Sequence, residues 1–152
     1  MIIIAHRGNT EGPKPDFENS PTYILEALSK GFHVEIDVWL KVINKRKEIF
    51  LGHDEPQYHI QDLKLLFDNK SSLWCHAKNI EALEWLLLND FHCFWHQEDN
   101  YTITSKGYIW AYPNMPTKIG IYVMPERENT VINKDEVLGV CTDYCYRYSD
   151  SF

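Results

Sequence analysis

A parallel α/β architecture is the fold class this sequence predicts, and three observations predict it. Short strand-like apolar runs recur along the whole chain, helical patterns separate several of them, and no internal repeat, low-complexity tract or Gly/Ser linker divides the 152 residues. With 44% apolar residues the chain is long enough to bury a real core, so one domain over residues 1–152 is expected.

Eight runs read as strands: 2–6, 33–40, 48–53, 73–77, 91–96, 108–112, 120–124 and 137–142. The first, Ile2-Ile3-Ile4, ends on His6. Ser20-Pro21 then reads as an N-cap with proline at the first helical position, giving a helix over 22–29 that stops at Gly31. The second run holds Glu35 and Asp37, and Lys45-Arg46-Lys47 reads as a turn leading into the third, which ends on His53. Residues 61–67 supply two helical turns with Leu63, Leu66 and Phe67 as the apolar stripe. The clearest helix is 79–89, capped by Asn79, with Ala82, Leu83, Leu86 and Leu87 at helical spacing.

The second half is thinner, because 97–107 and 113–119 have neither the room nor the pattern for a full helix. Eight strands fit an open parallel sheet or a closed (β/α)8 barrel. A barrel normally takes about 250 residues, so here it would be a reduced one, with several outer helices missing, mostly in the second half. Strand surface left uncovered would be apolar, and a homo-oligomer is expected to cover it.

Fifteen basic residues against 22 acidic ones give a net charge of −7, without the basic excess of a nucleic-acid binder. No apolar stretch reaches the roughly 18 residues of a membrane span, and Met1-Ile2-Ile3-Ile4 lacks the features of a signal sequence, so a cytoplasmic protein is expected. Cys75, Cys93, Cys141 and Cys145 form no paired metal-binding motif, and the first three lie in strand-like runs, where cysteine is usually a small buried residue.

The first three strand-like runs each end on, or contain, groups that can do chemistry. His6-Arg7-Gly8, Glu35-Ile36-Asp37 and His53-Asp54 offer two imidazoles, two carboxylates and a guanidinium. Metal-assisted attack on a phosphate ester needs that set: a cation on the developing negative charge, an acid, a base, and a guanidinium on the phosphate oxygens. In a strand, residues i and i+2 share a face, so Glu35 points with Asp37 and His76 with Lys78. At the C-terminal ends of barrel strands these pairs would meet His6 and His53 around one mouth.

These motifs, with Phe17-Glu18-Asn19-Ser20 between them, resemble the glycerophosphodiester phosphodiesterases, members of the phospholipase-C-like phosphodiesterase superfamily. Leu73-Trp74-Cys75-His76-Ala77-Lys78-Asn79 is similar to the family's fourth strand, and Val140-Cys141-Thr142-Asp143-Tyr144 to its closing strand. The likeness is strong over residues 1–89, weak over 90–136 and modest near the end. It implies a shortened member: a reduced TIM-type barrel whose mouth holds one divalent ion, Mg²⁺ or Ca²⁺. His6 and His53 would be the acid–base pair, Glu35 and Asp37 the metal ligands, and Arg7 and Lys78 the phosphate contacts. Which histidine is acid and which base stays open.

Two positions depart from the family pattern. His76 stands where the family usually has a carboxylate ligand. It can be a metal ligand that shifts preference toward Zn²⁺ or Mn²⁺, a phosphate or acid–base group, or a mark of lost metal binding. Phe17 replaces a usual proline, leaving Glu18 and Asn19 to brace the loop after the first strand.

Trp95, Trp110 and Tyr112 would wall the leaving-group side or pack in the core. His96, Glu126 and Asp143 read as structural; His33, His59 and His92 as surface or packing residues; Asp54 as a residue that orients an imidazole or caps the next segment. The expected function is a metal-dependent phosphodiesterase acting on a small phosphodiester by histidine acid–base catalysis. A phosphate-binding barrel without turnover, or a scaffold with a relic site, are the alternatives.

Overall fold

The structure is a computed structural model that describes residues 1–115, 117–129 and 131–149, so the last three residues of the expected domain lie outside it. In chain order the elements are β1 (Ile2–His6), α1 (Pro21–Ser29), β2 (His33–Ile43), β3 (Arg46–Leu51), β4 (Tyr58–Ile60), α2 (Lys64–Asp68) and β5 (Leu73–Ala77). They continue with α3 (Ile80–Leu88), β6 (Cys93–Phe94), β7 (Tyr101–Ile103), β8 (Ile109–Ala111), β9 (Gly120–Val123) and β10 (Gly139–Thr142).

The ten strands form one curled, mixed sheet. Seven run parallel in the spatial order β6-β5-β2-β1-β10-β9-β8, whereas β3, β4 and β7 pair antiparallel with a neighbour. The expected reduced (β/α)8 barrel of eight parallel strands is therefore wrong, and so is the TIM-barrel description. Only three α-helices occur among the described residues.

The physical reason lies in the connections. A parallel crossover takes a dozen or more residues, and only two separate β2 from β3. Those two, Asn44 and Lys45, both take positive φ (50° and 64°), the conformation of a tight hairpin whose twist suits paired strands. The basic trio thus begins in a turn, as expected, but the turn reverses the chain. Five residues between β7 and β8 do the same.

Two edges of β2 are shared out in a way that matters for the site. Glu35 O accepts from Arg7 N (3.0 Å) and Asp37 O from Gly52 N (3.1 Å), so β3 follows the end of β1 along the same edge. Val38 O, on the opposite edge, accepts from Lys78 N (2.8 Å). The hairpin therefore rises past the end of the parallel strands and returns residues 52–53 to the end of β1.

Alternation along the strands separates two cores. Val34, Ile36, Val38 and Cys75 pack on the convex side with Ile24 and Ala27 of α1 and Ala82 and Leu86 of α3. Inside the curl lie Ile4, Trp74, Phe94, Trp110, Ile121 and Cys141. The Phe94 and Trp110 rings, from the two ends of the parallel run, are 4.5 Å apart and floor the concave side. All four cysteines are free, buried thiols. No helix among the described residues is long and apolar enough to cross a membrane.

Asn79 caps α3 as expected: its Oδ1 accepts from Ala82 N at 3.1 Å. The same side chain also bonds both backbone groups of Leu40, tying α3 to β2 (Nδ2 to Leu40 O 2.8 Å, Leu40 N to Oδ1 3.2 Å). Replacing Asn79 by alanine loses a cap and two cross-element bonds. It should cost about 2 kcal/mol in a urea titration and lower Tm by about 4–8 °C.

Candidate active site

Glu35 and Asp37 lie on the concave face of β2, because Val34, Ile36 and Val38 fill the convex core. They open onto a cavity of about 390 Å³ at the C-terminal ends of the parallel strands, together with His6 of β1 and the following Arg7, His76 of β5 and the nearby Lys78, and His53. The structure thus brings together the seven residues expected to bind metal, phosphate and protons.

Asp37 is the most enclosed of them, its side chain only 1% exposed. Its Oδ2 accepts from Asn19 Nδ2 (2.9 Å), its backbone N donates to Asn19 Oδ1 (2.9 Å), and Arg7 Nε lies 3.3 Å from Oδ2. On its other side His76 Nδ1 is 3.1 Å and Lys78 Nζ 3.8 Å from Oδ1. Burial would raise its pKa, but His76, Arg7 and Lys78 outweigh burial and hold it well below the usual carboxylate range. Glu35 moves the other way: burial and then the Asp37 charge push its carboxyl up.

Arg7 is already committed. Its Nη1 donates to Glu18 Oε2 at 3.1 Å, and its backbone sits at φ 53°, a left-handed conformation that a non-glycine residue keeps only when its surroundings hold it there. Asn19, also left-handed (φ 64°), supplies the other clamp, donating its backbone N–H to Arg7 O at 3.0 Å. Glu18 and Asn19 therefore brace the loop after β1, as expected.

The two histidines differ. His6 Nδ1 lies 2.8 Å from Asp143 Oδ1; a carboxylate can only accept, so Nδ1 carries the proton. Burial pulls the His6 pKa down, but the Asp143 bond and the Glu35 charge overcome it and leave it above 6.5. His53, more exposed, has Nδ1 2.6 Å from Asp54 Oδ1; burial, with the Arg7 and Lys78 charges, outweighs Asp37 and the Asp54 bond and pulls its pKa down from 6.5. Asp54 thus orients an imidazole. Gly52 sets the approach, since a Cβ there would meet Glu55 O at 2.1 Å.

Glu35, Asp37 and His76 offer ligand atoms within 4.8 Å of one another. Their fit to a divalent ion rests on two observations. Among the described residues Asp37 Oδ1 is buried without a hydrogen-bond donor, and His76 Nε2 is spent on His96 O (3.0 Å), which leaves Nδ1 facing the carboxylates. The donor set fits an ion that accepts both nitrogen and oxygen.

The proposed aromatic wall divides. Trp95, Trp110 and Tyr112 all border the cavity, but Trp110 is buried in the inner core and Trp95 packs partly against the outer one. Tyr112 alone is exposed at the rim.

Sequence reasoning read Asp143 and Glu126 as structural and passed over Asn9 and Arg127. Asn9, fully buried, donates to Glu18 Oε1 (2.8 Å) and Asp143 Oδ1 (2.9 Å) and so joins both braces. Its place two residues after Arg7 was the available signal. Arg127 comes from the turn after β9 and had none.

Comparison of the chain with known protein families, curated proteins and solved structures finds no match.

Because His6 is raised by its partner, the His6–Asp143 pair stabilises the fold below pH 6.5 for as long as Asp143 stays ionised, and loses that contribution as pH rises through the raised value. In Asp143→Asn burial should prevail. An NMR titration of the His6 ring should give a pKa above 6.5 in the wild type and below 6.5 in the variant.

Proposed function

We propose that this chain is a phosphodiesterase of the glycerophosphodiester type, acting on a small phosphodiester with His6 as general acid and His53 as general base. One observation carries the reading: two histidines with pKa values displaced in opposite directions border one cavity with Arg7, Lys78 and two buried carboxylates. The raised histidine keeps its proton to higher pH than the lowered one, which orders them as acid and base.

Both imidazoles are held through Nδ1, so Nε2 is the working atom of each. His53 Nε2 takes the proton of the attacking water or substrate hydroxyl as its oxygen bonds to phosphorus. The bond from phosphorus to the leaving oxygen breaks as His6 Nε2–H protonates that oxygen. Asp143 stabilises the His6 imidazolium before transfer, and Lys78 and Arg7 offset negative charge on the phosphoryl oxygens. A divalent ion held by Glu35, Asp37 and His76 would supply Lewis-acid polarisation of the phosphoryl group, with Zn²⁺ or Mn²⁺ admitted beside Mg²⁺ or Ca²⁺ by the imidazole donor.

A second reading, phosphate binding without turnover, is favoured by Arg7 and Lys78, which compensate Asp37 without an ion. Four free buried thiols support a reducing, cytoplasmic location. Exposed Ile103 and Ile119 beside β7 and β9 support a second copy of the chain covering that surface.

Hydrolysis of bis(p-nitrophenyl) phosphate tests the assignment. His6→Ala and His53→Ala should each lower kcat about 100-fold or more, and a chelator should lower it in the wild type. The wild-type rate should rise as His53 deprotonates below pH 6.5 and fall as His6 deprotonates above it. Wild-type protein with no activity, loaded with any of the four metals, would leave the binding reading.

A further inference from the structure

The guanidinium expected to hold phosphate is already engaged inside the protein. Arg7 is 18% exposed, donates Nη1–H to Glu18 and sets its Nε against Asp37, so part of its donor capacity and its charge are engaged inside the protein. A second guanidinium, that of Arg127, lies at the same mouth and forms no ion pair with any described residue.

The position of Arg127 is built rather than incidental. It sits on the one-turn helix Pro125–Glu128, between Met124 and Asn129, both left-handed (φ 49° and 50°). Pro125 is buried, and Glu126 pins the turn to the end of β10: its Oε1 accepts from Thr142 Oγ1 (2.9 Å) and from Asp143 N (2.8 Å). Asp143 in turn holds His6. One short chain of bonds therefore fixes the backbone that carries Arg127 relative to the proposed general acid.

A second cavity of about 430 Å³ adjoins the first on the side of Pro13, Pro15, Glu55 and Gln57. The residues bordering both cavities are His6, Arg7, His53 and Arg127. A group bound at their junction has a cavity on either side of it, which suits a phosphorus centre bearing two ester substituents better than a terminal monoester.

We infer that Arg127 holds the phosphate of the ligand at the junction of the two cavities, and that the ligand is a phosphodiester with one substituent directed into each. The identity of the ligand rests on the phosphodiesterase reading; the anion site itself does not. A guanidinium offers paired donors to two phosphate oxygens, which an ammonium does not, so charge alone restores only part of its effect.

Calorimetric titration with inorganic phosphate, and steady-state kinetics on bis(p-nitrophenyl) phosphate, test it on the full chain. Arg127→Gln should weaken phosphate binding at least about tenfold and raise KM by a similar factor; Arg127→Lys should recover part of the loss. An exposed side chain that forms no ion pair with a described residue should leave the thermal transition in place. Phosphate binding within twofold of wild type in Arg127→Gln overturns the inference. Wild-type protein that binds phosphate through Arg127 but turns over no diester overturns the phosphodiesterase reading and leaves the anion site standing.

Discussion

A carboxylate cut off from water dictates how this site is built. Removing an ion from water costs several kcal/mol even after relaxation, so the Asp37 charge persists only because neighbours offset the loss of its hydration shell. Asn19, Arg7, His76 and Lys78 do so from three parts of the chain: the loop after β1, the end of β1 and the end of β5. The same contacts that keep Asp37 ionised therefore fix the loop, orient the imidazole and space the cations. Left-handed backbone at Arg7 and Asn19 is tolerated because both residues are held in that network.

The curled sheet converts this local constraint into a site with two differently tuned histidines. His6 ends β1 and is enclosed beside Asp143, where a second carboxylate favours its charged form. His53 arrives by the returning arm of the β2–β3 hairpin, along the edge of β2 that β1 leaves free, and stays more open to water. Two residues of one chemical type are thus separated in acidity by where the backbone delivers them.

Legibility in the sequence followed the kind of force at work. β1, β5 and the α3 cap were legible because apolar runs and an Asn before a helical pattern are local signals. The direction of β3 was not, since an apolar run looks the same in either sense and only the two-residue Asn44-Lys45 link excludes a crossover. Missing helices were anticipated in the second half, but not the extra strands β4 and β7, whose three residues each are too short for a periodic pattern. Glu35, Asp37, His76 and Lys78 were legible through i, i+2 spacing. Asn9 offered only its place two residues after Arg7, since its partner Asp143 is more than a hundred residues away, and Arg127 offered nothing, because its turn is held from another strand by Glu126.

The central claim is that Asp37, with Glu35 and His76, forms a cation-binding centre on which the two histidines face. Crystals of the protein soaked in Mn²⁺, measured at the manganese edge, test it most directly. A single anomalous peak bounded by Glu35, Asp37 and His76 is the predicted result. Anomalous density elsewhere, with none at Asp37 and its carboxylate still paired with Arg7 and Lys78, would contradict it.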